Sequence, residues 1–276
     1  MEDVLNKIKL TDLLKKAKEA GDAILEVYHS DFAVEQKEDR SPLTLADKRS
    51  HEIICAGLSL LYPEIPILSE EGREIPFTER EKWEYLWLID PLDGTKEFIK
   101  RNGEFTVNIA LIHNGKPVAG VIYVPVMKVF YFAKEGVGAY RRAYTREIEG
   151  MDEDGELLEG SERLPLAEAL NRPFTVVGSR SHMSKETEEH INKLRAFHSE
   201  FGIISAGSSI KICMVADGRA DVYPRFGPTM EWDTAAGQAI VEGAGGQLVN
   251  AETEEPLSYN REDLLNPSFI VRLEKG

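Results

Sequence analysis

Apolar positions recur with helical spacing in two segments near the start of the chain. Between residues 11 and 28 they fall three and four positions apart, which predicts an amphipathic helix. Residues 44–60 show the same spacing and predict a second helix, with Thr44 as its N-cap. Shorter apolar runs at 65–69 and 85–90 predict two strands.

The pattern that follows predicts antiparallel hairpins. Residues 106–112 and 118–124 flank the dipeptide Asn114-Gly115, which is typical of a two-residue hairpin turn. Residues 129–133 add another strand. The first half of the chain is therefore expected to be rich in antiparallel sheet.

The character of the chain changes at residues 141–170, a charged stretch with little apolar periodicity that predicts a surface hairpin or loop near a subdomain boundary. Beyond it strands alternate with helices, which is typical of α/β structure: strands at 174–178, 202–205 and 221–223, and helices at 184–197, 208–216 and 233–242. We therefore expect a mixed α+β and α/β fold, with an N-terminal α+β subdomain over 1–160 and a C-terminal α/β subdomain over 161–276.

Composition narrows the class of partner. The 276 residues carry a formal net charge of -15, which argues against a nucleic acid polymer because phosphate backbones need Lys and Arg. A small phosphorylated substrate stays compatible, since a bound cation inverts the local field. No apolar stretch approaches about 20 residues, so we expect no transmembrane segment. The acidic, polar start of the chain does not look like a signal peptide, and a cytoplasmic enzyme is expected. Cys55 and Cys213 are predicted to be buried thiols rather than a disulfide or a metal pair.

The segment that carries most chemistry is the end of the strand at 85–90. Asp90 is predicted to close the strand, because Pro91 has no N–H to continue the ladder. The bend lets Asp93 approach Asp90 and frees the carbonyl of Leu92, a hard oxygen ligand. Two carboxylates held that close repel each other and favour a divalent cation between them.

Gly94 and Thr95 come next and offer a phosphate site. Gly94 allows the backbone to approach an anion, and a helix that starts at Thr95 would present its first N–H groups. Asp-Pro and Asp-Gly are also ordinary turn dipeptides, so a plain turn explains this segment when it is taken alone.

Four further acidic residues have both a structural and a functional interpretation. Glu70 and Glu71 follow a predicted strand, where a solvated acidic turn is the simpler explanation. Asp233 begins a predicted helix, and N-terminal capping accounts for it by itself. Asp47 lies three residues after Thr44, at the capping-box position.

Four residues of the second half are candidate phosphate contacts. Ser208 and Lys211 are expected one turn apart on one helix face, and Arg225 could add a bidentate contact. His182 follows a predicted strand end, another place for anion contacts. Solvated surface side chains are the alternative for Lys211, Arg225 and His182.

Taken together, three separated blocks resemble the magnesium-dependent, lithium-sensitive phosphatase superfamily that contains inositol monophosphatase and fructose-1,6-bisphosphatase. The blocks are Glu70-Glu71, Asp90-Pro-Leu-Asp93-Gly-Thr95 and Trp232-Asp233-x-Ala-Ala-Gly237. Within that superfamily the chain looks like the bacterial 3′(2′),5′-bisphosphate nucleotidases of sulfur metabolism, through Ser41–Asp47, Gly94–Ile99, Gly103–Ala110, Gly207–Cys213 and Tyr223–Thr229. Inositol phosphatases usually have Asn-Phe where this chain has Glu97-Phe98. The resemblance covers nearly the whole chain except residues 151–160.

The resemblance implies a layered αβαβα sandwich with the site between two subdomains, and it implies a role for each site residue. Two or three Mg²⁺ ions would be held by Glu70, Asp90, the Leu92 carbonyl, Asp93 and Asp233. Water would be activated by Asp47 and Thr95. Substrate would contact the Gly94-Thr95 backbone, His182, Ser208, Lys211 and Arg225.

The implied reaction is hydrolysis of the 3′-phosphate of adenosine 3′,5′-bisphosphate to AMP and phosphate, with inhibition by Li⁺. The resemblance also allows peripheral association with the inner membrane. Two alternatives stay open: an inositol or sugar monophosphatase with the same metal centre, and a catalytically silent nucleotide-binding protein. The sequence leaves monomer and homodimer equally open, as it does the preference between the bisphosphate and its sulfated analogue.

Overall fold

The structure, a computed structural model, describes residues 2–36, 42–170, 172–181 and 183–273. Its α-helices in this part of the chain are α1 (Glu2–Lys7), α2 (Leu10–Tyr28), α3 (Leu45–Leu61), α4 (Phe77–Arg80), α5 (Thr95–Ile99), α6 (Asp154–Glu159), α7 (Lys185–Ala196), α8 (Ile210–Ala216) and α9 (Glu231–Gly243). Short 3₁₀ helices cover Arg146–Gly150 and Ala167–Leu170.

The strands are β1 (Val34–Gln36), β2 (Pro42–Thr44), β3 (Ile67–Ser69), β4 (Tyr85–Asp93), β5 (Thr106–His113), β6 (Lys116–Val124), β7 (Val129–Lys134), β8 (Gly138–Ala143), β9 (Glu162–Arg163), β10 (Phe174–Ser179), β11 (Phe201–Ala206), β12 (Val222–Arg225), β13 (Gly246–Asn250) and β14 (Phe269–Leu273).

The start of α3 is fixed by its cap. Thr44 has an extended backbone, and its hydroxyl accepts a hydrogen bond from the Ala46 N–H at 3.1 Å. In return the Thr44 N–H donates to Asp47 Oδ2 at 2.7 Å, which completes a capping box. The prediction that Thr44 is the N-cap is confirmed.

Within the described residues, seven strands form the larger sheet, in the order β3-β4-β5-β6-β7-β8-β9. β3 is parallel to β4, and the other pairs are antiparallel. Asn114 and Gly115 both have positive φ, 48° and 77°, as the tight turn between β5 and β6 requires. The predicted hairpins are confirmed.

The smaller sheet has the order β11-β10-β12-β14-β13. β10, β11 and β12 are parallel, as the alternation of strands and helices predicted, while β14 runs antiparallel to both β12 and β13. The prediction for the second half was therefore incomplete, because it left out β13 and β14.

Five layers stack in the molecule. α2 and α3 cover one face of the larger sheet, and α9 lies on its other face, where it also contacts β13 of the smaller sheet. α8 packs beside α9 on the inner face of the smaller sheet, and α7 covers the outer face. The expected αβαβα sandwich is confirmed.

The prediction that Asp90 closes its strand was wrong. Asp90 pairs with Asn108 and Asp93 pairs with Thr106, so two residues of β4 oppose only one of β5. This is a β-bulge at Pro91, which cannot donate to the ladder. The strand continues beyond the proline, and the bulge turns the two aspartates towards each other.

Residues 141–170 are more ordered than a surface loop. β8 and β9 extend the larger sheet, and α6 buries Leu157, whose carbonyl accepts from Arg142 Nη1 at 2.6 Å. A single buried apolar side chain in each short helix, Ile148 and Leu157, is too little for a periodic signal, which is why this structure was missed. The division after residue 160 stays a prediction, although β9 just beyond it still belongs to the larger sheet.

The two cysteines differ. Cys213 is buried as predicted, but Cys55 is only half-buried, with its Sγ 3.5 Å from His51 Nδ1. Among the helices of the described residues, none combines the length and the hydropathy that crossing a bilayer requires.

The contact between α9 and the larger sheet provides a test of the packing. A Cβ on Gly120 of β6 would lie 2.6 Å from the Ala236 carbonyl oxygen and 2.9 Å from its Cα. Gly120→Ala should therefore lower the free energy of unfolding by about 1–3 kcal/mol, measured by urea denaturation. Gly155→Ala is the matched control, because a Cβ there meets nothing within 4 Å. Equal stability of both variants and the wild type would contradict this packing.

Candidate active site

A cleft of about 390 Å³ opens where the carboxyl ends of parallel strands from the two sheets meet. β3 and β4 lead into it from the larger sheet, and β10, β11 and β12 from the smaller one. Such edges of α/β sheets commonly bind ligands. The lining residues are Glu70, Asp93–Glu97, Ser179, Gly207–Ser209, Lys211, Ile212, Tyr223, Arg225, Pro228, Thr229, Asp233, Thr234 and Phe269.

Three carboxylates converge at the base of this cleft. One oxygen from each of Asp90, Asp93 and Asp233 lies within 4.8 Å of the other two. The first two come from the bulged end of β4, and the third from the first turn of α9. Residues 140 positions apart in sequence thus form one acidic group.

Backbone donors orient each of these carboxylates. Asp90 Oδ1 accepts from the Leu92 N–H at 3.0 Å, and Asp233 Oδ2 accepts from the Met230 N–H at 2.9 Å. Asp93 Oδ2 accepts from the Ser209 N–H at 2.6 Å. One oxygen of each group is thereby fixed, which also fixes the direction of the other.

The cluster has an electrostatic cost that a cation would remove. Desolvation raises the pKa of Asp90 well above its ordinary value, and the negative charges of Glu70, Asp93 and Asp233 raise it further. Desolvation and the charges of Asp93 and Glu70 likewise raise the pKa of Asp233. Converging carboxylate oxygens that resist ionisation together are the donor set that Mg²⁺ prefers. The residues present therefore fit a divalent cation.

Glu70 completes the acidic wall. It follows β3, where its N–H donates to the Ile89 carbonyl at 3.1 Å. Glu70 lines the cleft, and its negative charge raises the pKa of Asp90. Leu92 buries its side chain and offers its carbonyl to the Thr95 hydroxyl at 3.4 Å. Both residues lie where the sequence placed them, next to the carboxylate cluster.

Asp47 combines the two interpretations that the sequence left open. Its Oδ2 caps α3 through Thr44, while its Oδ1 accepts from Thr95 Oγ1 at 3.2 Å. The residue is buried, so both contacts are held away from bulk water. Capping and a contact with the cleft are thus properties of two different oxygens of one side chain.

Position 94 requires glycine for two reasons, its backbone conformation and the lack of space for a side chain. Its φ is 95°, and a Cβ there would lie 3.0 Å from the Glu104 carbonyl oxygen and 3.1 Å from Ser208 Cβ. A helix does begin at Thr95, the condition that the sequence left open, but α5 is only five residues long. Gly94 and Thr95 both line the cleft.

Lys211 and Arg225, the two predicted cationic contacts, are not solvated surface charges. Lys211 and Arg225 are 6% and 7% exposed, and both line the cleft. Burial lowers the pKa of Lys211 to about 8. Arg225 Nη2 donates to the Pro228 carbonyl at 2.9 Å, which directs its guanidinium.

The prediction that Ser208 and Lys211 share a helix face was wrong. α8 begins at Ile210, and Ser208 lies before it with a φ of 53°. Lys211 Nζ instead folds back to the Ser208 carbonyl. His182, the remaining predicted contact, lies outside the described residues.

Several residues of the site were missed by sequence reasoning. Ser209 holds Asp93, Asn108 and Thr106 lie behind it in β5, and buried Glu97 lines the cleft and accepts from the Ser181 hydroxyl. A signal for two of them existed: Thr106 and Asn108 are polar positions inside an otherwise apolar strand.

A model of the inositol monophosphatase family matches residues 8–275 of the chain. The 3′(2′),5′-bisphosphate nucleotidase CysQ of Salmonella typhimurium is 47% identical over 268 residues, which cover 96% of this chain and 99% of that protein.

Two solved structures support the same relationship. CysQ from Bacteroides thetaiotaomicron, a bacterial member of the inositol monophosphatase family, superposes with a TM-score of 0.86 at 51% identity, covering 96% of this chain and 97% of that one. The extragenic suppressor protein suhB from Bartonella henselae gives a TM-score of 0.72 at 26% identity, covering 95% and 93%.

The carboxylate cluster makes a prediction about Mg²⁺. Asp90→Asn should weaken Mg²⁺ binding, measured by titration calorimetry, by about 100-fold or more, because it removes a buried charge from the cluster. Without Mg²⁺ the variant should melt no lower than the wild type, since one source of repulsion is gone. Glu159→Gln, at an exposed acid, is the control and should bind Mg²⁺ normally. Wild-type affinity in the Asp90 variant would contradict the site.

Proposed function

The chain belongs to the inositol monophosphatase family, and we propose that it is a Mg²⁺-dependent 3′(2′),5′-bisphosphate nucleotidase, which hydrolyses the 3′-phosphate of adenosine 3′,5′-bisphosphate to AMP and phosphate. The observation that carries this proposal is that one cleft combines a carboxylate cluster suited to a metal ion with two buried cations, Lys211 and Arg225. The similarity to CysQ proteins extends over nearly the whole chain and supports this reaction, to which we assign a role in sulfur metabolism.

The carboxylate cluster at the bottom of the cleft would hold two or three Mg²⁺ ions. Its ligands would be Glu70, Asp90, the Leu92 carbonyl, Asp93 and Asp233. Bound there, Mg²⁺ supplies positive charge that neutralises the phosphate oxygens and favours departure of the 3′-oxygen. The family is metal-dependent, and the cluster of acidic oxygens described above supports the assignment.

Asp47 and Thr95 would activate the attacking water. Thr95 Oγ1 donates to Asp47 Oδ1, so the hydroxyl can accept a proton from water as it passes its own to the carboxylate. A bond then forms between the water oxygen and phosphorus, while the bond from phosphorus to the 3′-oxygen breaks. The 3′-oxygen takes a proton from solvent.

The remaining residues of the cleft would distinguish two phosphates. The scissile phosphate would lie against the Gly94-Thr95 backbone and the metal, and Lys211 and Arg225 would hold the 5′-phosphate. Cations that line a cleft favour an anionic ligand, because they can form charge-assisted hydrogen bonds to it. A single-phosphate substrate such as an inositol monophosphate would leave the second anion missing.

A phosphate-release panel tests the function. With Mg²⁺, kcat/KM for adenosine 3′,5′-bisphosphate should exceed that for 3′-AMP by at least about tenfold, because a charge-assisted hydrogen bond to the 5′-phosphate contributes about 1.5–3 kcal/mol. Inositol 1-phosphate and fructose 1,6-bisphosphate should be poorer substrates. Release should stop when Mg²⁺ is removed with a chelator. A preference for inositol phosphate, or binding of nucleotide without hydrolysis, would support the alternatives instead.

Lys211 makes the reaction depend on pH. Its ammonium is charged below about pH 8 and loses its proton above it, so kcat/KM should fall as the pH rises through that value. The ratio kcat/KM is the relevant quantity, because it reports ionisation in the free enzyme. Lys211→Arg keeps the charge and should remove this alkaline limb, whereas an unchanged limb in that variant would assign the titration to another group.

A further inference from the structure

A chain of hydrogen bonds leads from Asp93 through the protein to the wall of the cleft. Ser209 Oγ lies 2.7 Å from Asp93 Oδ2 and 3.0 Å from Asn108 Nδ2. Asn108 Oδ1 lies 2.8 Å from Thr106 Oγ1, which lies 2.7 Å from Ser208 Oγ. Thr106, Asn108 and Ser209 are buried, and Ser208 lines the cleft.

The direction of this chain is fixed at Ser209. Its hydroxyl faces the Asp93 carboxylate and also the Asp233 carbonyl, at 2.8 Å, and both of these can only accept. The single proton of Ser209 is therefore committed to one of them. The atom of Asn108 that faces Ser209 must be a donor, so it is the amide nitrogen.

The remaining protons follow from the orientation of Asn108. Its oxygen faces Thr106 and can only accept, so Thr106 donates its one proton to it. Thr106 can then only accept from Ser208, and Ser208 directs its own proton away from the cleft. What Ser208 offers to a ligand is a lone pair.

An acceptor cannot bind an ionised phosphate oxygen, which has no proton to donate. It can bind a hydroxyl of the sugar. Ser208 lies at the metal end of the cleft, because the next residue binds Asp93 and because a Cβ on Gly94 would approach Ser208 Cβ to 3.1 Å. The donor that a nucleotide carries beside its scissile phosphate is the vicinal hydroxyl.

Resting on the proposed function, we propose that Ser208 is a specificity-determining residue that accepts a hydrogen bond from the ribose hydroxyl next to the scissile phosphate. This is the 2′-hydroxyl for a 3′-phosphate and the 3′-hydroxyl for a 2′-phosphate. Thr106 and Asn108 are positioning residues, since they hold the Ser208 proton away from the ligand.

The test compares adenosine 3′,5′-bisphosphate with its 2′-deoxy analogue in wild type and in Ser208→Ala. For the wild type, loss of the 2′-hydroxyl should lower kcat/KM about five- to tenfold. Ser208→Ala should lower kcat/KM for the ribonucleotide by a similar factor and should no longer distinguish the two substrates. Comparing two enzymes with two substrates cancels any intrinsic difference in reactivity between the two nucleotides.

Thr106→Val and Thr106→Ser separate direction from simple packing. Valine removes the acceptor of the Ser208 proton, so Ser208 can turn its proton into the cleft and discrimination should fall to less than about twofold. Serine keeps the hydroxyl and should keep the discrimination. Mg²⁺ affinity and melting temperature, measured on both variants, identify any loss that comes from Asp93 or from unfolding.

The outcomes distinguish failure of the proposed function from failure of the role assigned to Ser208. If the wild type releases no phosphate from the ribonucleotide in Mg²⁺, the proposed function and this inference both fail. If the wild type hydrolyses both nucleotides equally well, or Ser208→Ala lowers kcat/KM equally for both, only the inference fails. Equal discrimination in the Thr106 valine and serine variants would overturn the role of the hydrogen-bond chain.

Discussion

The repulsion between the carboxylates at the base of the cleft is the constraint on which the rest of the structure depends. Three acidic groups stay this close because rigid donors hold them, and a bound cation or a retained proton relieves their repulsion. The fold supplies the donors from three places: Leu92 in the bulge after Asp90, Met230 just before α9, and Ser209 just before α8. None of these is a flexible side chain, so the cluster is preorganised before any ligand arrives.

The way in which the two sheets meet places basic groups opposite this acidic cluster. Parallel strands direct their carboxyl ends towards one edge, and in this chain the edges of both sheets face each other. The larger sheet contributes Asp90 and Asp93, and the smaller sheet contributes Arg225. The helices between the sheets contribute Lys211 from α8 and Asp233 from α9. Negative and positive groups thus come from several elements that meet at the cleft, with Asp233 and Lys211 on neighbouring helices of the middle layer. A ligand that carries phosphates at two positions matches both sets of charges at once, with a cation between one phosphate and the acidic side.

The local parts of this arrangement could be predicted from sequence, and the long-range parts could not. The capping box at Thr44, the hairpin at Asn114-Gly115 and the adjacency of Asp90 and Asp93 depend on neighbours in the chain, so short patterns reveal them. The contact of Ser209 with Asp93 joins residues 116 positions apart, and no local pattern encodes it. The burial of Lys211 is a tertiary property as well. The family resemblance proposed the site residues, but the structure was needed to show which oxygen of each carboxylate is already engaged.

Asp47 carries a consequence for how this protein tolerates change. One oxygen of Asp47 caps α3 and the other accepts a hydrogen bond from Thr95. A substitution that removes the contact with Thr95 therefore also removes the cap, unless the new side chain has the shape of a carboxylate. A lost cap costs about 1 kcal/mol, which is a large part of the stability margin of a typical domain. Sequence variation at this position would therefore reduce the number of folded molecules that survive cellular proteases as well as the turnover of each one. Abundance and catalysis would decline together, and a genetic screen would record them as a single defect.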